Sequence, residues 1–332
     1  MPLYVLHFKH RGNAQWGVIR NGFITPIPGA FETTGAFLEA NSVDALCRLS
    51  GPALRETEIE LLSPVTQGQQ FLCQGANYRR HMIESGLDPD AKTFNMIFTK
   101  AQSSIAPANS DVVRPRRVRF LDYEIELGLV LKRNIRSGQR VTNGNLYEFV
   151  AGAVIVNDYS ARDIQIPEMQ FYKGKSFRTF GPVGPYLCLL EPHDFNRLGE
   201  LELTLTVNGA VRQSDRLENL VFGPAETLTE LSAVHDLSVG DLLSTGTPAG
   251  CALSVPSPAK QRIVALLPEK LKWKMFMNIQ ARRSQYLKPG DIVESRIATA
   301  DRSIDLGVQR NRIVDEATSE RGNLGFRARS LT

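Results

Sequence analysis

Residues 122–131 read DYEIELGLVL and residues 149–158 read FVAGAVIVND, and the two segments together set the architecture of the chain. Side chains of a strand point alternately to opposite faces, so Asp122, Glu124 and Glu126 share one face of the first segment with Gly128 and Val130. Tyr123, Ile125 and Leu127 take the other face. The second segment is apolar without interruption until Asn157 and Asp158, the pattern of a strand buried on both sides. Further strand-like runs follow or precede them: MIFTK at 96–100, GPYLCLL at 184–190, LELTLTVNG at 201–209 and DLLSTGTP at 241–248. Helical signals between these runs are short, whereas a repeating βαβ sheet would separate its strands by helices of about 10 to 15 residues. The expected class is therefore mainly β with some α.

The first part of the chain has its own rhythm. YVLHF, WGVI and FITPI alternate over residues 3–27, and Asn21-Gly22 between the last two is a hairpin signal. Residues 33–50 then carry helical spacing behind a Thr able to cap, and IELLSPV at 59–65 reads as a strand. A small N-terminal α+β domain is expected over residues 1–66, followed by a catalytic domain over 67–332. The C-terminal ERGNLGFRARSLT is expected to fray.

At 332 residues, 42% hydrophobic and 22% charged, the chain has an ordinary globular composition with enough length for a large core. No apolar run approaches the roughly 20 residues of a membrane helix, so a cytoplasmic protein with no membrane contact is expected. Cys47, Cys73, Cys188 and Cys251 stand far apart without a CxxC pair, which favours free buried thiols over disulfides or zinc. The net charge of +4 is local. Between Leu253 and Leu287 seven Lys and Arg face Glu269 alone, so the rest of the chain is net negative. Nucleic-acid binding, which needs basic charge spread over a face, is not expected. This stretch, with SVPSP at its entry and helical patterns in RIVALL and KWKMFMNIQARR, reads as a basic insertion.

Several residue sets could carry chemistry. Two carboxylates at i and i+2 on one strand face can converge on a cation, although a solvated acidic face has the same pattern. Asp158 ends a buried strand, where a carboxylate needs a partner or caps the next turn. Three carboxylates without His or Cys suit magnesium or manganese, with calcium a further candidate. His81 and Glu84 in NYRRHMIESG share a helical face, as a general base with its orienting acid would, or as an ordinary surface pair would. Lys175 lies between glycine-rich turns in FYKGKSFRTFGPVGP, held near a substrate oxygen or simply solvated.

Taken in order, NYRRH, DYEIELG, NDYSARDIQ, KGKSF with GPVGP, VNG, STGTPAG and LKPGDIVE resemble the catalytic domain of the fumarylacetoacetate hydrolase family over residues 69–315, apart from the basic insertion. The resemblance implies a mixed, multilayered β-sandwich roll that forms a homodimer. It also implies metal ligands at Glu124, Glu126 and Asp158, and a water-activating dyad of His81 and Glu84 on a lid that orders with substrate. Arg162, Gln165 and Lys175 fall on positions around the reacting oxygen, and Tyr78, Arg178 and Thr247 on substrate contacts. Arg178 stands where many members carry an acid, and the insertion of about residues 253–287 has no counterpart in compact members.

The activity so implied is metal-dependent hydrolysis of a carbon–carbon bond in a small 2,4-dioxo acid, of acylpyruvate or fumarylpyruvate type, to a carboxylic acid and a pyruvate-like keto acid. Decarboxylation of oxaloacetate-like β-keto acids, or isomerisation or hydration of keto acids in aromatic catabolism, would use the same groups without an attacking water. A non-catalytic metal-binding protein with a partner-binding insertion is the alternative of another class. The insertion is expected to pack beside the active-site mouth or the dimer seam.

Overall fold

The computed structural model describes residues 2–255, 264 and 266–316. Most of the regular structure is β. A 13-stranded sheet runs in the order Leu54–Arg55, Phe23–Pro26, Asn13–Arg20, Leu3–His10, Leu187–Leu189, Val150–Asn157, Ile125–Leu131, Leu242–Ser244, Phe71–Gly75 and Met96–Thr99, with three short strands paired off this path. A five-stranded sheet of Ala210–Arg216, Glu202–Val207, Ile292–Ala298, Asp305–Asp315 and Val112–Arg114 packs beside it.

The segments 122–131 and 149–158 lie at the centre. Every residue of Ile125–Leu131 and of Val150–Asn157 is buried, and the two strands pair antiparallel with Ile125 opposite Asn157 and Glu126 opposite Val156. Their alternation divides the core. Ile125, Leu127, Leu129, Ala153 and Ile155 pack with Leu203, Leu205, Val293 and Ile297 of the second sheet. Val130, Val154 and Val156 face the opposite layer, with Trp16, Phe37 and Leu46 from the N-terminal segment.

That N-terminal segment adds its strands to the main sheet. Leu3, Tyr4 and Val5 pair with Leu189, Cys188 and Leu187, so the strands of residues 3–62 are hydrogen-bonded into the main sheet. The Asn21-Gly22 hairpin is present, both residues at positive φ, and Thr33 and Ser42 cap two short helices. Trp16 stacks between His7 and Phe37, with ring centroids 4.8 and 4.2 Å away. All four cysteines are free, three of them buried and Cys47 exposed, the last differing from expectation because its short helix lies at the surface.

Of the basic insertion, the structure describes the helix Glu269–Ala281, which buries one residue, Gln280. Most of the SVPSP and RIVALL segments, and the tail beyond Glu316, lie outside the described residues. Among the described residues no helix is long and apolar enough to cross a membrane.

Candidate active site

Pairing of the two central strands places Asp158 beside Glu124. The Asp158 amide donates to the Glu124 carbonyl at 2.8 Å, and the Glu124 amide donates to Asn157 Oδ1 at 3.0 Å. Glu126 lies two residues on, and the ligand atoms of Glu124, Glu126 and Asp158 fall within 4.8 Å of one another. None of the three is a solvated face residue, since they are 5%, 1% and 0% exposed.

Buried carboxylates require compensation, and the surrounding elements supply it. Lys175 Nζ donates to Glu124 and, at 2.5 Å, to Asp158. Lys100, at the end of the edge strand Met96–Thr99, donates to the other Asp158 oxygen and to the Phe180 carbonyl at 2.9 Å. Arg162 forks between Glu124 at 2.5 Å and Asp122 at 2.8 Å, and its third bond reaches Gln165 Oε1 at 2.7 Å. Glu126 accepts from Ser244 Oγ at 2.5 Å and from the Gly246 amide at 3.1 Å. Gly246 sits at φ +88°, and a Cβ there would meet Asn77 Cβ at 2.9 Å, so glycine is what lets this turn aim its N–H at the acid. Gly174 has a different reason: a Cβ would lie 2.6 Å from Gln165 Cβ, so the turn carrying Lys175 closes onto the Gln165 helix only without a side chain.

Four buried carboxylates, Asp122, Glu124, Glu126 and Asp158, thus face three buried cations, Lys100, Arg162 and Lys175. The shortfall settles on Glu126. Burial, then Asp158 and Glu124, push its carboxyl well above the usual carboxylate range. Burial acts on Glu124 in the same sense, but Arg162, Lys175 and His81 overcome it and hold this carboxyl well below that range. A hard divalent cation fits this donor set, which is all oxygen, closely spaced and one positive charge short.

A cavity of about 280 Å³ opens over the acids, lined among others by His81, Gln165, Lys175, Thr247, Leu253 and Val255. A His81 ring nitrogen lies within 4.8 Å of both Glu124 and Cys251 ligand atoms. Burial lowers the His81 pKa below the ordinary histidine value, opposed by Glu124, so the ring is neutral near pH 7. Its Nδ1 is buried without a hydrogen-bond partner. Glu84, the last residue of the helix Arg79–Glu84, lies close enough to His81 to oppose the lowering of its pKa, and one of its oxygens accepts the Gly250 amide at 3.2 Å. Cys251 is kept as a thiol by burial and by Glu124 and Asp122, which argues against a cysteine nucleophile.

Thr247 lines the cavity with its hydroxyl committed, donating to the Ile125 carbonyl at 2.9 Å and accepting from Gln213 at 2.8 Å. Tyr78 and Arg178, expected as substrate contacts, do not line it. Tyr78 leads into the His81 helix but turns inward, fully buried in the main core with a hydroxyl that has no partner. Arg178 is exposed in the loop after Lys175. Sequence reasoning passed over Lys100 and the anchoring role of Asp122, whose carboxylate also accepts the amides of Ala252 at 2.7 Å and Leu253 at 3.0 Å.

Comparison with known proteins follows the same lines. Residues 70–314 match the model of the family described as Fumarylacetoacetate (FAA) hydrolase C-terminal. The oxaloacetate tautomerase YisK of Bacillus subtilis is 34% identical over 205 residues, 61% of this chain and 66% of that protein. A 2,4-didehydro-3-deoxy-L-rhamnonate hydrolase from a Sphingomonas species is 34% identical over 247 residues, 73% of this chain and 83% of that protein. Among solved structures, a fumarylacetoacetate hydrolase from Exiguobacterium antarcticum superposes with a TM-score of 0.73 at 26% identity, covering 95% of this chain and 100% of its own.

Proposed function

The chain belongs to the fumarylacetoacetate hydrolase family, and from that premise we propose that it is a divalent-metal-dependent enzyme interconverting keto and enol forms of a small 2-oxo acid, as oxaloacetate tautomerases do. One observation carries this reading: a neutral His81 faces the acid cluster while Glu84, which a water-activating dyad would need, is bound to the Gly250 amide. Proton transfer needs a base over the substrate; hydrolysis needs a base and an oriented water.

Glu124, Glu126 and Asp158 would hold the cation, magnesium or manganese by their hard oxygen donors, and when bound it polarises the carboxylate and 2-oxo oxygens of the substrate. His81 takes the proton from carbon 3 of the keto form and passes it to the enolate oxygen; in the other direction it takes the enol hydroxyl proton and places it on carbon 3, so one proton is relocated and His81 ends neutral. Lys175 stays charged, since Asp158 and Glu124 raise its pKa against the opposing effect of burial, so it donates hydrogen bonds to the enolate oxygen without giving up its proton. Arg162 is locked by Asp122, Glu124 and Gln165 and fixes the positive wall of the site.

A second reading, hydrolysis of a 2,4-dioxo acid between carbons 3 and 4, is favoured by the likeness to the rhamnonate hydrolase, most of whose length is matched. It requires Glu84 to accept a hydrogen bond from His81 beside or in place of the Gly250 amide. Oxaloacetate enol decay followed by ultraviolet absorbance, with deuterium exchange at carbon 3 followed by NMR, separates the two when run beside an acylpyruvate panel. Acceleration of enol decay that EDTA abolishes is expected. Release of pyruvate and acid from acylpyruvates, with no effect on oxaloacetate, would establish the second reading instead.

A further inference from the structure

A second cavity, of about 470 Å³, lies directly beside the catalytic one, and Ile166, Leu253 and Val255 line both. Its far wall is the helix of the basic insertion, which contributes Trp273, Phe276 and Ile279. Trp273 and Phe276 pack edge to face with centroids 6.1 Å apart, so the wall is an aromatic corner, and Ile279 is 45% exposed. The helix is fastened to the catalytic frame. Gln280, its one buried residue, donates to the Ser254 carbonyl at 2.9 Å and accepts from Tyr286 at 2.7 Å, while Arg283 donates to the Ala252 carbonyl at 2.6 Å. Ala252 and Leu253 are in turn held by Asp122, the carboxylate that also fixes Arg162.

We propose that this cavity is the subsite for an apolar tail, so that the substrate is a 2-oxo acid whose end remote from the keto acid head is aliphatic or aromatic. The inference rests on the reading of the neighbouring cavity as a 2-oxo acid site. Continuity supports it: a molecule anchored by its head over Glu124 and Lys175 leaves along Ile166, Leu253 and Val255, and meets mostly apolar side chains and the Trp273–Phe276 corner beyond, with Ser254, Lys272 and Gln280 the polar members of the lining. Apolar surface left open to water is costly, and a tail of matching size removes it.

The test uses the full chain with magnesium and a series of N-alkyl oxamates, which keep a 2-oxo acid-like head and do not turn over. Binding by calorimetry should tighten by about fourfold for each methylene that enters the cavity, from hydrophobic transfer. Ile279→Trp, which fills the cavity from a partly exposed position, should abolish the dependence on tail length while N-methyl oxamate binds as in the wild type. Phe276→Ala should weaken it while leaving the short probe unaffected. The kcat/KM values for 2-oxo acids of one head and growing apolar tails should follow the same order. Flat affinity across the oxamate series overturns the subsite, even if oxaloacetate is turned over. Affinity that grows with tail length without turnover of any 2-oxo acid keeps the subsite and rejects the proposed activity. Flat affinity together with a change of oligomeric state in Ile279→Trp would show a second copy of the chain on this face, also overturning the proposal.

Discussion

Replacing Lys100 by Met isolates the charge that sequence reading passed over. Lys100 Nζ and the Asp158 carboxylate are both fully buried, and the ammonium has two partners, Asp158 and the Phe180 carbonyl. Methionine keeps most of the volume and removes the charge. Breaking a buried ion pair costs about 3–5 kcal/mol, because it strands the remaining charge. Asp158 retains Lys175 at 2.5 Å, which places the loss toward the lower end, and the Phe180 carbonyl loses one of two donors, keeping the Tyr159 amide at 3.1 Å, for about 1 kcal/mol at most. A loss of about 4 kcal/mol in urea unfolding of the metal-free protein is expected. Combining Lys100→Met with Asp158→Asn leaves no stranded charge, so the double variant should be more stable than the summed single losses by about 2 kcal/mol. If Lys100→Met unfolds within about 1 kcal/mol of wild type and the two changes add without coupling, the charge balance described for this cluster is wrong.

Three further outcomes follow from the geometry. Glu126→Gln should leave the metal-free protein at least as stable as wild type at neutral pH, since burial and the neighbouring acids already favour the neutral carboxyl, yet calorimetry should show magnesium affinity falling at least tenfold. The His81 pKa is lowered, so its basic form persists to lower pH and the acid limb of kcat/KM should fall at a pH below the ordinary histidine value of about 6.5. His81→Ala should lose that limb and about 100-fold in rate, and a limb unchanged in this variant would assign the base elsewhere. Gly174→Ala must push apart the Lys175 turn and the Gln165 helix, so steady-state kinetics should show kcat reduced more than tenfold with the fold intact by circular dichroism; wild-type kcat would mean that the contact is slack.

Which parts of this were legible beforehand follows from the range of the interactions involved. Alternation in 122–131 and the apolar run of 149–158 are local patterns, and they give the two central strands and the shared face of Glu124 and Glu126. Asp158 joins them because a carboxylate ending a buried strand has to be answered by charge. Lys100 is opaque for the mirror reason: a lysine ending a short edge strand looks like a solvated terminus until Asp158 is placed against it. Glu84 shares a turn with His81, but its actual partner, the Gly250 amide, is 166 residues away. The pairing of Leu3–Val5 with Leu187–Leu189 is likewise invisible to periodicity. The layered roll itself came from motif order, not from patterning.

The cross-strand meeting of Glu124 with Asp158 bears on how the chain finds its fold. A strand has a period of two, so sliding Ile125–Leu131 by one residue against Val150–Asn157 would turn Glu126 into the layer now filled by Ile125, Leu127 and Leu129. Two aliphatic strands have little to tell one alignment from the next. The acids do, because a slipped pairing buries charge against hydrocarbon far from Lys175 and Arg162, at a cost of several kcal/mol per ion. The residues poised for chemistry therefore also hold the two central strands in one alignment.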